Sequence, residues 1–482
     1  MKVMIIGIDG LDNELLTQFE DDLPNFKKLK EKSPPIKLNS VFPPDSPTAW
    51  TSIYTSKNPA EHGIIFFKDP FSKSEYGSYT ENDIAGKTFW DIAGRQGKRV
   101  CILFPHLGYP VWPVNGVMIG RTTEVDIKKF DIQTWPPEIS TKYDLSGLKP
   151  MTSYPVNLGD LIEPTKEVIL NEVELAVQLC QDFDWDLYFF YSSSIDNIQH
   201  LFWMYYDKND PFYQEGNPYE NVIFDFYKFY DKNVIGKFLK LIDYDTVLIV
   251  LSDHGHAMRP VKIFNINEIL RKKGLLKLKK ENVGFRNNFI NKTKKTILSL
   301  IDQYRSIGKI ASLFLKLFPQ GLSLYLNITP IDKESVAYLS DPSGGIKAYS
   351  YAGIKINKKI VDIYSYENLR DKIIKLLLSI KGPGDSGKII EWAKRREELY
   401  NGKYIDKYPD IVFKLKDDWG VGWDINEDIF SKSRSHKLHS GNHRAETPVL
   451  FIYNQKTRLN LKKEMELMDV APLILKLLEM GG

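Results

Sequence analysis

Three aspartates of this chain stand where short apolar runs end, and histidines cluster with them. Asp9 follows the run Val3 to Ile8. Asp196 follows Leu187 to Tyr191 after three serines, and Asp253 follows Thr246 to Leu251 in Ser252-Asp253-His254-Gly255-His256. Carboxylates delivered to one place repel one another and are costly to bury, and divalent cations are the usual remedy. Asp196 and His200 are four residues apart, so a helix starting there puts both on one face, a spacing that suits two ligands of one ion. Asp253 and His254 are adjacent in a turn, where both side chains can converge on a second ion. The chain has only 8 His, and His443 lies in Ser440-Gly441-Asn442-His443-Arg444 just before the last apolar run. Imidazole with carboxylate favours zinc or manganese over calcium. Each histidine taken singly is more often structural or exposed; their joint placement at strand ends favours a metal site.

A hydroxyl completes the chemistry. In Asp45-Ser46-Pro47-Thr48-Ala49-Trp50, Ser46 followed by proline predicts a helix N-cap with Pro47 at the first helical position. Free amides and the helix dipole favour anions such as phosphate there. A metal at Ser46 would lower the hydroxyl pKa and make it a nucleophile; the competing reading is a capping serine and nothing more.

Positioning these groups requires a sheet. The runs Val3 to Ile8, Val100 to Phe104, Leu187 to Tyr191, Thr246 to Leu251 and Val449 to Tyr453 suit strands buried on both faces. Helical spacing fills Leu161 to Asp182 and Tyr219 to Ile242 between them. The alternation predicts an α/β fold with a doubly wound, mostly parallel sheet flanked by helices. In such sheets the carboxyl ends of the strands face the ligand crevice, which is where the three aspartates fall. The expected core is 1–260 with 431–482, and 261–430 is a large insertion suited to a cap. Residues 105–160, rich in Pro, Tyr and Trp, read as a surface excursion. Tyr109, Trp112 and the Trp419 to Trp423 loop are aromatic candidates for stacking on a base or sugar, with core packing as the alternative. The basic stretch 285–318 admits peripheral contact with a membrane, although a helix packing its apolar face on the core suits it better.

Composition removes other classes. Of 482 residues, 65 are Lys or Arg and 62 Asp or Glu, a net charge of +3 that advertises no nucleic-acid polymer as partner. Two cysteines, Cys101 and Cys180, exclude a disulfide scaffold and a Cys-rich metal site. No apolar run approaches the roughly 18 residues of a membrane span, and MKVMIIGIDG is too short an apolar stretch for a signal peptide. The expected setting is cytoplasmic.

Several segments, taken in order, resemble the type I phosphodiesterase/nucleotide pyrophosphatase branch of the alkaline phosphatase superfamily in its archaeal and bacterial form. They are Gly7-Ile8-Asp9-Gly10, Leu23-Pro24-Asn25-Phe26, Pro47-Thr48-Ala49-Trp50-Thr51-Ser52 and Asn58-Pro59-Ala60-Glu61-His62-Gly63-Ile64. Asp196-Asn197-Ile198-Gln199-His200, Ser252-Asp253-His254-Gly255 and Gly441-Asn442-His443-Arg444 follow. The resemblance implies a metal-dependent phosphoester hydrolase with two divalent ions, usually zinc. Asp196, His200 and His443 match the ligands of one ion; Asp9, Asp253 and His254 match those of the other. Ser46 matches the nucleophile that bridges them and forms a phosphoseryl intermediate, with Thr48 the fallback. Thr48, His256 and Arg444 are candidate substrate contacts. There are departures: Ser56 stands where the family has glycine, and Ala49 where nucleotide-hydrolysing members have an asparagine that holds the phosphoryl oxygen. The Cys/Ser-x-Pro-x-Arg motif of sulfatases is missing.

A small-molecule phosphodiester or pyrophosphate is the expected substrate. The alternatives are a phosphomonoesterase, a phosphosugar mutase of the same superfamily and a non-catalytic binding protein on the same fold. The last is opposed by the presence of all six ligands and the hydroxyl.

Overall fold

A computed structural model describes residues 1–67, 70–71, 81–122, 130–149, 157–279, 331–342, 348–454 and 461–479. The chain forms two compact units. One comprises Met1–Ile64, Gly77–Ala257 and His443–Gly482; the other comprises Ile65–Tyr76 and Met258–Asn442.

The first unit is built on a seven-stranded sheet. Its strands run in the order Leu450–Tyr453, Thr246–Leu251, Lys2–Ile8, Leu187–Ser192, Val100–Leu103, Gly116–Arg121, Ile132–Trp135. The five inner strands are mutually parallel, and each edge strand is antiparallel to its neighbour. Every residue of Thr246–Leu251 and Leu187–Ser192 is buried, which is why these strands are continuously apolar or aromatic instead of alternating. The helix Ile162–Asp182 packs on Val100–Leu103 and Leu187–Ser192, and Val470–Glu479 packs on Lys2–Ile8 and on the helix Ser46–Thr55. Gly7 lets that last helix approach the sheet: a Cβ there would lie 2.7 Å from Trp50 Cη2.

Two expectations are corrected in this unit. Residues 105–160 are no mere surface excursion, because Gly116–Arg121 and Ile132–Trp135 extend the sheet by two strands. Trp112 is buried against Trp90, 6.2 Å between ring centroids, with Nε1 donating to Asp91 Oδ1 at 3.0 Å, so it is core. The segment Tyr219 to Ile242 is likewise no uniform α-helix: Val222–Tyr230 continues into a π-turn, Asp231–Ile235. Asp231 Oδ1 accepts from the amides of Asn25 and Phe26 at 2.9 and 2.8 Å. It thereby satisfies the first turn of the helix Pro24–Lys32, whose own N-cap, Leu23, has no side-chain acceptor.

The second unit holds a four-stranded antiparallel sheet ordered Ala337–Ser340, Tyr351–Ile356, Ile411–Leu415, Ile390–Arg395. The helix Ile363–Leu378 packs on its edge strand, capped by Asp362, which accepts from the amides of Tyr364 and Ser365. A smaller sheet joins Trp419–Gly422, Lys262–Asn265 and Phe430–Lys432. Trp419 is buried in this unit's core beside Phe430, and Trp423 Nε1 donates to Asp341 Oδ2 at 3.0 Å. These rings are engaged in packing and a hydrogen bond within the unit, the core-packing reading rather than stacking on a base or sugar. The basic stretch 285–318 lies outside the described residues. Among the described residues no helix is long and apolar enough to cross a membrane.

Candidate metal centre

Asp9 leaves the end of Lys2–Ile8 with its amide donating to Ser192 O at 2.9 Å. Gly10 then turns with a φ of +66°, and a Cβ there would lie 2.7 Å from Asp196 Oδ1. The turn needs glycine on both counts. The Gly10 amide donates to Asp253 Oδ1 at 3.3 Å, tying together the ends of two neighbouring strands.

His254 is fully buried, its Nε2 3.3 Å from Asp9 Oδ1 and 3.3 Å from Asp253 Oδ2. Its Nδ1 lies 3.0 Å from Gly255 O, which places a proton on Nδ1 and turns Nε2 to the carboxylates. Asp196 and His200 share one face of the helix Ser194–Tyr206 at 3.4 Å. His443 reaches the same place from 243 residues away, its Nε2 2.9 Å from His200 Nε2 and 3.8 Å from Asp196 Oδ1. The rings of His254 and His443 stack at 3.9 Å between centroids.

Each of three groups brings its ligand atoms within 4.8 Å of one another: Asp9, Asp253 and His254; Asp196, His254 and His443; and Asp196, His200 and His256. The sequence singled out His256 as a substrate contact. The structure buries it in this cluster, with Nδ1 3.3 Å from Asp196 Oδ1.

The electrostatics are those of a site built around positive charge. Burial, and next the adjacent Asp9, push Asp253 well above the usual carboxylate range. Burial opposes protonation of His254, yet Asp253, Asp9 and Asp196 together raise it to about 10. Burial likewise opposes ionisation of Asp196, but His200, His256 and His443 outweigh it and hold the carboxyl well below its ordinary value. Burial, and then His200, lower His256 to about 4. Asp253 Oδ2 and Asp196 Oδ1 are buried without a hydrogen-bond partner, a state that costs on the order of 1–3 kcal/mol for each polar group. These orphaned oxygens, with an all-nitrogen and oxygen donor set, fit divalent cations of the zinc or manganese kind.

Ser46 is displaced from its expected role. Asp45 is the N-cap of Ser46–Thr55, so Ser46 is the first helical residue and Pro47 the second. The Ser46 hydroxyl therefore points away from the helix amides: Oγ lies 3.1 Å from His254 Nε2 and 3.2 Å from Asp9 Oδ1. Thr48, in contrast, is fully buried within the helix. Arg444 is half-buried and pairs with Glu14 at 2.6 Å.

Four further residues brace the cluster without having been read from the sequence. Asp9 Oδ2 accepts from the Tyr191 hydroxyl and, at 3.3 Å, from Trp50 Nε1, which leaves Oδ1 turned to Ser46 and His254. His106 Nδ1 in turn lies 3.2 Å from the Tyr191 hydroxyl. Asp12 Oδ2 accepts from the His256 amide at 3.0 Å and from Thr447 Oγ1 at 2.5 Å. Tyr191 is the penultimate residue of the strand next to Asp9's own, a hint in principle. The partners of Asp12 are 244 and 435 residues away, and no local pattern reveals them.

Curated protein sequences yield no match. Two solved structures of phosphonoacetate hydrolase from Sinorhizobium meliloti 1021, in complex with phosphonoformate and with phosphonoacetate, share the fold. In each case the TM-score is 0.58 at 14% identity, over 99% of this chain and 95% of that one. The profile of the type I phosphodiesterase / nucleotide pyrophosphatase family matches residues 3–311. With well over half of its length matched and the alkaline-phosphatase-like sheet beneath the site, the chain belongs to the type I phosphodiesterase/nucleotide pyrophosphatase family of metal-dependent hydrolases.

Proposed function

We propose that this protein hydrolyses small-molecule phosphodiesters or pyrophosphates with Ser46 as nucleophile and two divalent ions, zinc in the first instance, as cofactors. One ion is held by Asp9, Asp253 and His254 with the Ser46 hydroxyl, the other by Asp196, His200 and His443. The observation that carries the reading is the Ser46 hydroxyl, 3.1 Å from His254 Nε2 and 3.2 Å from Asp9 Oδ1. A serine needed only as a cap would face its own helix amides. When bound, such ions acidify a hydroxyl and stabilise negative charge on the attacking and leaving oxygens.

The chain's own residues do the rest. Tyr191 and Trp50 fix the Asp9 carboxylate from behind, so its free oxygen stays beside Ser46. The first turn of Ser46–Thr55 offers a positive dipole end to the phosphoryl group. Ser46 Oγ forms a bond to phosphorus while the bond from phosphorus to the leaving alkoxide breaks, and the alkoxide departs with a proton. Water then breaks the Ser46 Oγ–phosphorus bond, releasing a phosphomonoester and restoring the hydroxyl. Ala49 is fully buried and carries no polar group, so nucleotide-type asparagine contacts are not available at that position. Restraint of the phosphoryl oxygens falls to the ions and the helix terminus.

Hydrolysis of bis-(p-nitrophenyl) phosphate against p-nitrophenyl phosphate tests the reading, with zinc or manganese present. Faster cleavage of the diester, abolished in Ser46→Ala, is the expected result. Faster cleavage of the monoester would reassign the substrate class, and cleavage of the diester undiminished in Ser46→Ala would remove the serine from the mechanism.

A further inference from the structure

His256 stands outside the six ligands assigned above, yet its surroundings are those of a ligand. It follows His254 by two residues, at the second position of the short strand Gly255–Met258. The Asp12 carboxylate anchors its amide at 3.0 Å, which fixes where the ring can go. That ring lies 4.6 Å from the His200 ring and 5.3 Å from the Trp203 ring, centroid to centroid, and is 2% exposed. Nδ1 sits 3.3 Å from Asp196 Oδ1, within ion-pair range, but neither nitrogen of His256 makes an aligned hydrogen bond, and neither does that oxygen.

An imidazole always presents one N–H and one lone pair when neutral. Burying it with both unanswered costs on the order of 1–3 kcal/mol, which packing against Trp203 does not require. Leucine or phenylalanine would fill the same space without that cost. Nδ1 of His256 and Nε2 of His200 lie 3.3 and 3.4 Å from the Asp196 oxygens, the ligand-to-ligand spacing about one tetrahedral ion with bonds of about 2.0–2.2 Å, and the three residues form one candidate metal-holding group.

We propose that His256 is a further ligand of the ion held by Asp196 and His200, so that three imidazoles and one carboxylate serve that position. The inference rests on the two-ion reading above and adds a residue to it. A different role predicts a different outcome: a His256 that merely orients the Asp196 carboxylate would never touch the ion.

Cobalt substitution separates the two. Full-length protein is stripped with a chelator and reloaded with Co2+, and bound cobalt is counted. The exchangeable imidazole N–H protons shifted by the paramagnetic ion are then recorded in the proton NMR spectrum. Wild type is expected to bind two ions and show four such signals, from His200, His254, His256 and His443. His256→Gln should lose one signal, and chelator competition should show one ion weakened by more than the 10- to 100-fold typical of an orienting partner. Two ions with three signals in wild type, unchanged in His256→Gln, would overturn this inference and leave the two-ion reading intact. Fewer than two ions in wild type would overturn that reading, and this one with it. Should His256→Gln fail to fold, the signal count in wild type decides alone.

Discussion

Ser46 Oγ and His254 Nε2 are 3.1 Å apart although 208 residues separate them along the chain. The contact joins the first turn of one helix to the turn after an inner strand, and it sets a serine that looks like a cap beside a candidate metal-holding group.

Replacing Ser46 with alanine should therefore separate chemistry from metal binding. Asp9, Asp253 and His254 remain, so metal content by mass spectrometry is expected to match wild type. Turnover of bis-(p-nitrophenyl) phosphate should fall by roughly 10³-fold or more, as when a nucleophile is removed. Metal loss equal to the activity loss would mean that Ser46 acts mainly as a ligand.

Asp253 illustrates the cost of burying carboxylates side by side. Burial and Asp9 push its carboxyl up, so the metal-free fold carries repulsion that the unfolded chain does not. Asp253→Asn is expected to raise the melting temperature of metal-stripped protein. The same substitution should abolish most of the stabilisation that zinc confers on wild type, which amounts to about 2.7 kcal/mol at a metal concentration 100 times Kd. Calorimetry of both proteins with and without zinc checks both halves.

Metal uptake should release protons at neutral pH. With His254 raised to about 10 in the metal-free site, its ring is protonated at pH 7 and must lose that proton to bind. Apparent affinity should climb with pH toward about 10 and level off above it. Isothermal titration in buffers of different ionisation enthalpy measures the proton count, and a heat independent of buffer would contradict the expectation.

The metal-free protein should also weaken in acid. His256 is lowered to about 4, below the ordinary histidine value of 6.5, so the unfolded chain binds the proton more readily than the fold does. The stability associated with a neutral His256 is complete above about 6.5 and lost as pH falls toward about 4, a difference of roughly 3 kcal/mol. Urea unfolding in chelator at pH 7, 5.5 and 4 should show a shallower decline for His256→Gln than for wild type.

Tyr191→Phe tests the brace behind Asp9. It removes a hydroxyl that donates to Oδ2 and leaves the ring packed against Trp50, 5.1 Å between centroids. Metal affinity should drop about 10- to 100-fold with little change in melting temperature of the metal-free form.

Most of the sheet was legible because its inner strands are buried on both faces and therefore read as unbroken apolar runs. Thr246–Leu251 begins and ends where the run does, and Lys2–Ile8 differs from it by one residue. Gly116–Arg121 was not legible: it opens and nearly closes on glycine, sits among prolines and tryptophans, and owes its strand conformation to pairing with Val100–Leu103. The aromatic candidates left two readings open for a related reason. Trp112 and Trp419 have the composition of a binding loop, and only the packing around them shows that they are core.

For the site, the candidate donors were legible locally: Asp9, Asp196, Asp253, His200 and His254 stand just past strand ends or on a helical repeat, where local geometry dictates where a side chain emerges, and His443 stands just before the last apolar run. Tertiary structure decided what those donors face. The choice of Asp45 over Ser46 as helix cap, the Tyr191 and Trp50 bonds to Asp9, and the burial of His256 beside Asp196 and His200 all depend on contacts between segments far apart in the chain. Such contacts follow from how the helices and loops pack over the sheet, and no periodicity in the residues themselves encodes them.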